Sequence, residues 1–272
     1  MGCIKNLIIN SKKCFLKKIL KKPKFDGRMR IYLTIKCNLS CPYCVNGYDN
    51  SDFKGYGYRL RSPKDWINQI NSIGRDVVFT GGEPFLYKGF ADIINSINKK
   101  LSISIYTNFA LNIENIIPEI KRKVHIYISF HPQNTDISLF IKNIYLVMNN
   151  QNISFNIHVI KANNDLQMNK ALILSDKLKQ MNIDISFDED QRHFEGSKRK
   201  FKKKVLCSRN IILIAPDGDR FHCVSKLMRQ KQSIENIFDS KLSNSKKKII
   251  CDEYGYCAPC DYLGETEMEF IT

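Results

Sequence analysis

No stretch of this 272-residue chain approaches the roughly 20 consecutive apolar residues that span a bilayer, which excludes a transmembrane helix. No secretory signal precedes its ten cysteines, and their C-x2-C and C-x3-C spacings suit metal ligation in a reducing compartment. A cytoplasmic protein is therefore expected rather than a disulfide scaffold. Acidic residues are missing from two segments: residues 1–24 hold eight Lys, residues 196–209 hold five Lys and two Arg, and together these account for nearly all of the net charge of +16. Neither segment interleaves its cations with a series of aromatics, the usual platform for single-stranded nucleic acid. A solvated lysine face is the preferred reading, and no nucleic-acid partner is expected. With 43% apolar and 26% charged residues the chain is globular, long enough for one large unit and a small one.

What is present is concentrated after the first apolar run. Cys37, Cys41 and Cys44 stand at C-x3-C-x2-C spacing within Ile35-Lys36-Cys37-Asn38-Leu39-Ser40-Cys41-Pro42-Tyr43-Cys44. Thiolates hold iron-sulfur clusters, and a [4Fe-4S] cluster takes four ligands, so three local cysteines leave one iron open to a small molecule. A structural zinc knuckle is the competing reading. It wants four closed ligands, and no His or Cys follows for dozens of residues.

From Met29 onward, short apolar runs alternate with amphipathic segments, the pattern of βαβ units and a parallel sheet. Strands are expected near 29–36, 76–80, 102–107, 124–130, 153–160 and 183–187, and helices near 63–73, 89–99, 112–122, 136–150 and 166–181. Residues 3–20 space Ile4, Leu7, Ile8, Phe15, Ile19 and Leu20 among lysines as a basic amphipathic helix. Docking on the open edge of the main unit is the preferred role for it; contact of residues 1–24 with a membrane surface is the alternative.

Several polar groups fall just past the expected strands. These are Gly81-Gly82-Glu83-Pro84 after the second, Thr107 and Asn108 at the end of the third, and Ser129 and His131 at the end of the fourth. His158, Lys161, Asp188, Glu189 and Gln191 follow around the fifth and sixth, where they would meet hydroxyl or amino groups of a polar substrate or simply be solvated. The three cysteines, Gly81-Gly82-Glu83-Pro84, Thr107, Asn108 and Ser129 together resemble the motifs of the radical S-adenosylmethionine enzymes.

The resemblance implies an α/β fold, a partial (β/α)6 TIM-like barrel over residues 27–195 behind a basic segment 1–26, with chemistry at the carboxyl ends of the strands. It implies a [4Fe-4S] cluster with an open iron site on Cys37, Cys41 and Cys44, and S-adenosylmethionine bound there. Tyr43, Gly81, Gly82, Glu83, Pro84, Thr107, Asn108 and Ser129 would contact the cosubstrate. His131 departs from the Asp that related enzymes often carry; it would bond a ribose hydroxyl, serve as an acid or base, or cap the following helix. A reducing partner such as flavodoxin or ferredoxin is implied as well.

Beyond a basic linker at 196–204 the chain changes character. Cys207, an apolar run at 211–214, a turn at Pro216-Asp217-Gly218-Asp219 and then Phe221-His222-Cys223 read as a hairpin that draws two cysteines together, followed by a helix near 233–239. Cys207, Cys223, Cys257 and Cys260 would close a four-thiolate site, with Cys251 left over. This resembles a small cysteine-rich α+β domain of the SPASM/twitch type over residues 205–272, holding an auxiliary [4Fe-4S] cluster; four-cysteine zinc is the alternative. Cys251 would be a spare, a replacement ligand or a hydrogen-atom donor. The expected activity is removal of a hydrogen atom from a small polar, sugar-like or aminocyclitol-like substrate by a 5′-deoxyadenosyl radical, giving oxidation or epimerisation. Modification of a ribosomally made peptide is the alternative enzyme reading, and a zinc-bearing nucleic-acid-binding protein the non-enzymatic one.

Overall fold

The computed structural model describes residues 27–41, 44, 57–160, 165–188, 203–209, 211–243, 248–254 and 266–271. Residues 1–26, Pro42, Tyr43, Lys161, Glu189, Gln191, Cys257 and Cys260 lie outside them. Six parallel strands, β1 (Met29–Tyr32), β2 (Val77–Thr80), β3 (Ile103–Thr107), β4 (Val124–Phe130), β5 (Ile153–Ile160) and β6 (Ile185–Asp188), lie side by side in chain order. Apolar residues at every second position of β3 and β4 are buried, and they build one continuous core with the helices. Those helices are α1 (Pro63–Ile73), α2 (Phe90–Ser96), α3 (Ile137–Met148) and α4 (Asp165–Gln180). This is an α/β arrangement with a mostly parallel sheet.

Local chemistry starts the helices where the sequence places them. At α1 the Ser62 hydroxyl accepts from the Asp65 N–H at 3.2 Å while the Asp65 carboxylate accepts from the Ser62 N–H at 3.0 Å, a reciprocal cap followed by Pro63 in the first turn. Trp66 and Ile70 then point inward and are fully buried, each worth roughly 2–3 kcal/mol of apolar burial. Asp136 caps α3 by accepting from Leu139 N–H at 2.8 Å.

Two expected helices are absent. Over 112–122 the chain makes only a 3-10 turn at Ile117–Glu119, because Pro118 has no N–H to continue a helix and the Asn112 side chain accepts from the Glu114 N–H instead. Near 233–239 stands a short strand, β10 (Glu235–Asn236), antiparallel to β9 (Asp219–Phe221). There Glu235 pairs with the buried Arg220 at 2.7 Å and Asn236 accepts from the Phe238 N–H, which favours a turn over a helix.

The tail is built in two parts. The expected hairpin forms from β8 (Ile212–Ile214) and β9, and β8 lies parallel to β1, so β8, β9 and β10 extend the main sheet to nine strands. Its inner side packs Leu213, Phe221 and Leu227 against Tyr32 and Ile35, with Leu227 carried on α5 (Val224–Arg229). A separate three-stranded antiparallel sheet joins β11 (Ile249–Tyr254), β7 (Lys203–Arg209) and β12 (Thr266–Phe270). Among the described residues, no helix is long and apolar enough to cross a membrane.

Candidate active site

The carboxyl ends of β1 to β4 meet around one loop. Directly after β1, the chain runs through Thr34 and Lys36 into Cys37 and Cys41, and the end of β2 holds this segment from beneath. The Gly82 N–H donates to the Thr34 carbonyl at 3.2 Å and the Glu83 N–H to the Lys36 carbonyl at 2.8 Å. Such backbone-on-backbone contact requires glycine. A methyl at Gly81, whose φ is +129°, would come within 2.6 Å of the Thr34 oxygen, and one at Gly82 would lie 2.6 Å from the Ile35 oxygen and overlap the Lys36 carbonyl. The Gly-Gly pair thus serves the cysteine loop itself, a role that the sequence alone left unassigned.

The ends of β3 and β4 hold the loop from the sides. Asn108 donates from Nδ2 to Asn38 Oδ1 at 2.9 Å and to Cys37 Sγ at 3.5 Å, while Asn38 donates to the Ala110 carbonyl at 3.2 Å. Beyond β4, Asn134 Nδ2 donates to Cys41 Sγ at 3.4 Å, and His131 Nδ1 lies 3.7 Å from the same sulfur. Burial pushes the His131 imidazole down to about 4, so the ring is neutral near pH 7 rather than titrating there. Asn134 carries no motif in the sequence, and only the fold brings it to the cysteines.

Glu83 is fully buried and spans β2 and β3. Its Oε1 accepts from Thr107 Oγ1 at 2.8 Å and Phe85 N at 3.1 Å, and its Oε2 accepts from Asn108 N at 2.9 Å. Thr107 and Asn108 are therefore its brackets. Desolvation raises the carboxyl to about 7 against the pull of these three donors. Because the folded value lies above the ordinary one, this group favours folding most below about pH 4.5, and the contribution is lost as pH rises through about 7. We expect urea unfolding of the metal-free protein to show roughly 3 kcal/mol less stability at pH 8 than at pH 5 from this group, at 1.36 kcal/mol per pKa unit. Glu83→Gln should flatten the profile; an unchanged slope would remove Glu83 as its source.

Cys37 keeps an exposed edge, while partial desolvation pushes its thiol up to about 11, with the Glu83, Cys44 and Cys41 charges adding to the rise against the Leu39 N–H. A raised thiol suits a metal ligand better than a lone nucleophile. Three thiols on one loop, with amide N–H groups directed at two of their sulfurs, fit an iron-sulfur cluster. Among the described residues no three His, Cys, Asp or Glu side chains converge as they would around a single ion. Ser129 sits at the end of β4 beside His158 of β5 in the sheet register.

In the tail, Cys207 is buried on β7 rather than on the hairpin, and Cys223 is half-buried at the start of α5. His222 hydrogen-bonds the Cys207 backbone and so links the two neighbourhoods. Cys251 is buried on β11 in the same small cluster as Cys207, Val205 and Tyr254.

A family model described as the Radical SAM superfamily matches residues 31–166, half of the chain. The 7-carboxy-7-deazaguanine synthase of Clostridium acetobutylicum is 31% identical over 96 residues, which is 34% of this chain and 42% of that protein. The GTP 3′,8-cyclase of Clostridium perfringens strain SM101 is 40% identical over 75 residues, 26% of this chain and 23% of that protein. The matches thus span less than half the length of these curated relatives. Among solved structures, Streptococcus suis SuiB bound to S-adenosylmethionine is 14% identical with a TM-score of 0.42, covering 86% of this chain and 68% of that one.

Proposed function

The chain belongs to the radical S-adenosylmethionine superfamily, and from that premise we propose that it removes a hydrogen atom from a small polar substrate, sugar-like or aminocyclitol-like, giving oxidation or epimerisation. The family implies a [4Fe-4S] cluster and S-adenosylmethionine, which together supply one-electron cleavage to a 5′-deoxyadenosyl radical when bound. Cys37, Cys41 and Cys44 would hold the cluster. Gly81 and Gly82 seat their loop, and Glu83 and Ser129 stand at the strand ends where the methionyl group would lie.

The observation that carries the substrate class is the face of the sheet turned away from the helices. Where β3 to β5 bury Ile, Val and Phe on the helix side, the opposite side presents Ser104, Tyr106, His125, Tyr127, Ser129 and His158. Tyr106 stacks on Tyr127 with ring centroids 4.6 Å apart, and His125 meets Tyr127 edge-on at 4.5 Å. His158 Nδ1 lies 2.7 Å from Ser186 Oγ and 3.3 Å from the Asp188 carboxylate. A surface of aromatic faces and hydrogen-bonding groups suits a hydroxylated ring, or a nucleotide-linked one, better than an apolar ligand. The names of the similar synthase and cyclase, which concern a deazaguanine and GTP, support a polar, ring-bearing small molecule.

For the tail we propose an auxiliary [4Fe-4S] cluster on Cys207, Cys223, Cys257 and Cys260. The shared burial of Cys251 with Cys207 favours Cys251 as a replacement ligand over a hydrogen-atom donor.

The test is anaerobic turnover with reductant, S-adenosylmethionine and a panel of deuterated sugars, aminocyclitols and sugar nucleotides. Formation of 5′-deoxyadenosine that carries deuterium from one of them is expected, with Tyr127→Ala and His158→Ala raising KM for that compound by roughly tenfold or more. No 5′-deoxyadenosine under any condition, or coupling to a peptide alone, would overturn the reading.

A further inference from the structure

Cys37 and Cys41 each receive a side-chain donor, and that of Cys41, Asn134, belongs to none of the superfamily motifs read from the sequence. Cys41 faces the turn that follows β4, where the Asn134 and Thr135 N–H groups both donate to the His131 carbonyl at 3.0 Å. That double closure fixes the turn, and Thr135 is buried beneath it. Asn134 is thereby held with its amide nitrogen 3.4 Å from Cys41 Sγ, and the neutral His131 ring approaches the same sulfur from the same turn. Cys37 receives Asn108 Nδ2 at 3.5 Å and the Leu39 N–H at 3.4 Å. The Asn108 side chain cannot turn away easily, because its Oδ1 accepts from the Ala110 N–H at 2.9 Å and its Nδ2 is shared with Asn38.

We propose that Asn134 and Asn108 are positioning residues that set the reduction potential of the cluster held by this loop, by donating to the Cys41 and Cys37 thiolates. The physical reason is charge. Reduction adds an electron to an already anionic thiolate-ligated centre, and N–H groups aimed at the sulfurs stabilise that added charge, which raises the potential. Asn108 is buried and Asn134 is solvent-exposed, so water can replace part of the Asn134 donation but little of that of Asn108. The inference rests on superfamily membership and is independent of the substrate.

The experiment is an EPR-monitored redox titration of the full chain, reconstituted anaerobically without S-adenosylmethionine, with iron counted per chain. Asn134→Leu removes the amide and excludes water, and Asn134→Asp replaces the amide with a repelling carboxylate of the same shape. Both should shift the midpoint to more negative potential, Asp further than Leu, at unchanged iron content. Asn134→Gln, which keeps an amide, should stay closer to the wild-type value than Leu does, and Asn108→Ala should shift in the same direction as Leu. A midpoint unmoved in the Leu and Asp variants of Asn134 would overturn the proposal. So would equal loss of iron in those two, because it would make the residue a structural brace of the loop.

Discussion

Gly82→Ala is expected to remove the cluster of the cysteine loop, about four irons per chain, and to cut cleavage of S-adenosylmethionine by roughly a hundredfold or more. The added methyl would be driven into the Lys36 carbonyl and to 2.6 Å from the Ile35 oxygen, and both are backbone atoms that cannot rotate away. Relief requires the end of β2 and the cysteine loop to separate, which breaks the Gly82 and Glu83 bonds to Thr34 and Lys36. The loop then no longer presents Cys37 and Cys41 to the donors after β3 and β4. The strain costs about 3 kcal/mol, so a control for general destabilisation is needed. Gly74→Ala provides one: Gly74 sits at positive φ, +69°, which Gly82 does not, yet its methyl meets open space, and the variant should keep its iron. Full iron in Gly82→Ala would show that the seat is not needed.

Triple substitution of Cys37, Cys41 and Cys44 by Ala should lower iron from about eight to about four per chain if the tail holds a second [4Fe-4S] cluster, and should abolish 5′-deoxyadenosine formation. The remaining irons isolate the tail. Against that background Cys251→Ala separates its roles, because loss of the residual iron identifies a ligand and retention identifies a donor or a spare. Tightly bound zinc with little iron after the triple substitution would replace the auxiliary cluster by a structural ion.

The strands were legible because burial has a period of two that water enforces. Val124, Ile126, Ile128 and Phe130 alternate with His125, Tyr127 and Ser129, and β4 spans the residues that this alternation predicts. The cysteine motif and Gly81-Gly82 were legible as local spacing. Other features were not, since they depend on partners far away in the chain. Glu83 reads as a free acceptor until Thr107 and Asn108 close on it. Residues 233–239 read as a helix until Arg220, on a neighbouring strand, takes Glu235. Asn134 sits in an ordinary polar loop and gains meaning only where the ends of β1 and β4 converge.

The parallel pairing of β1 with β8, Met29 beside Ile212 and Ile31 beside Ile214, ties the start of the sheet to its tail in time as well as space. At roughly 5–20 residues per second of synthesis, β1 waits on the order of ten to forty seconds for its outer neighbour. During that interval the Tyr32 and Ile35 flank of the cysteine loop lacks most of its packing, because Leu213, Phe221 and Leu227 do not yet exist. Iron delivery to the nascent chain would meet a loop seated on one side only. We therefore expect maturation of the cysteine site to be completed only after the tail strands emerge, and truncation before β8 to cost that site even though Cys37, Cys41 and Cys44 remain.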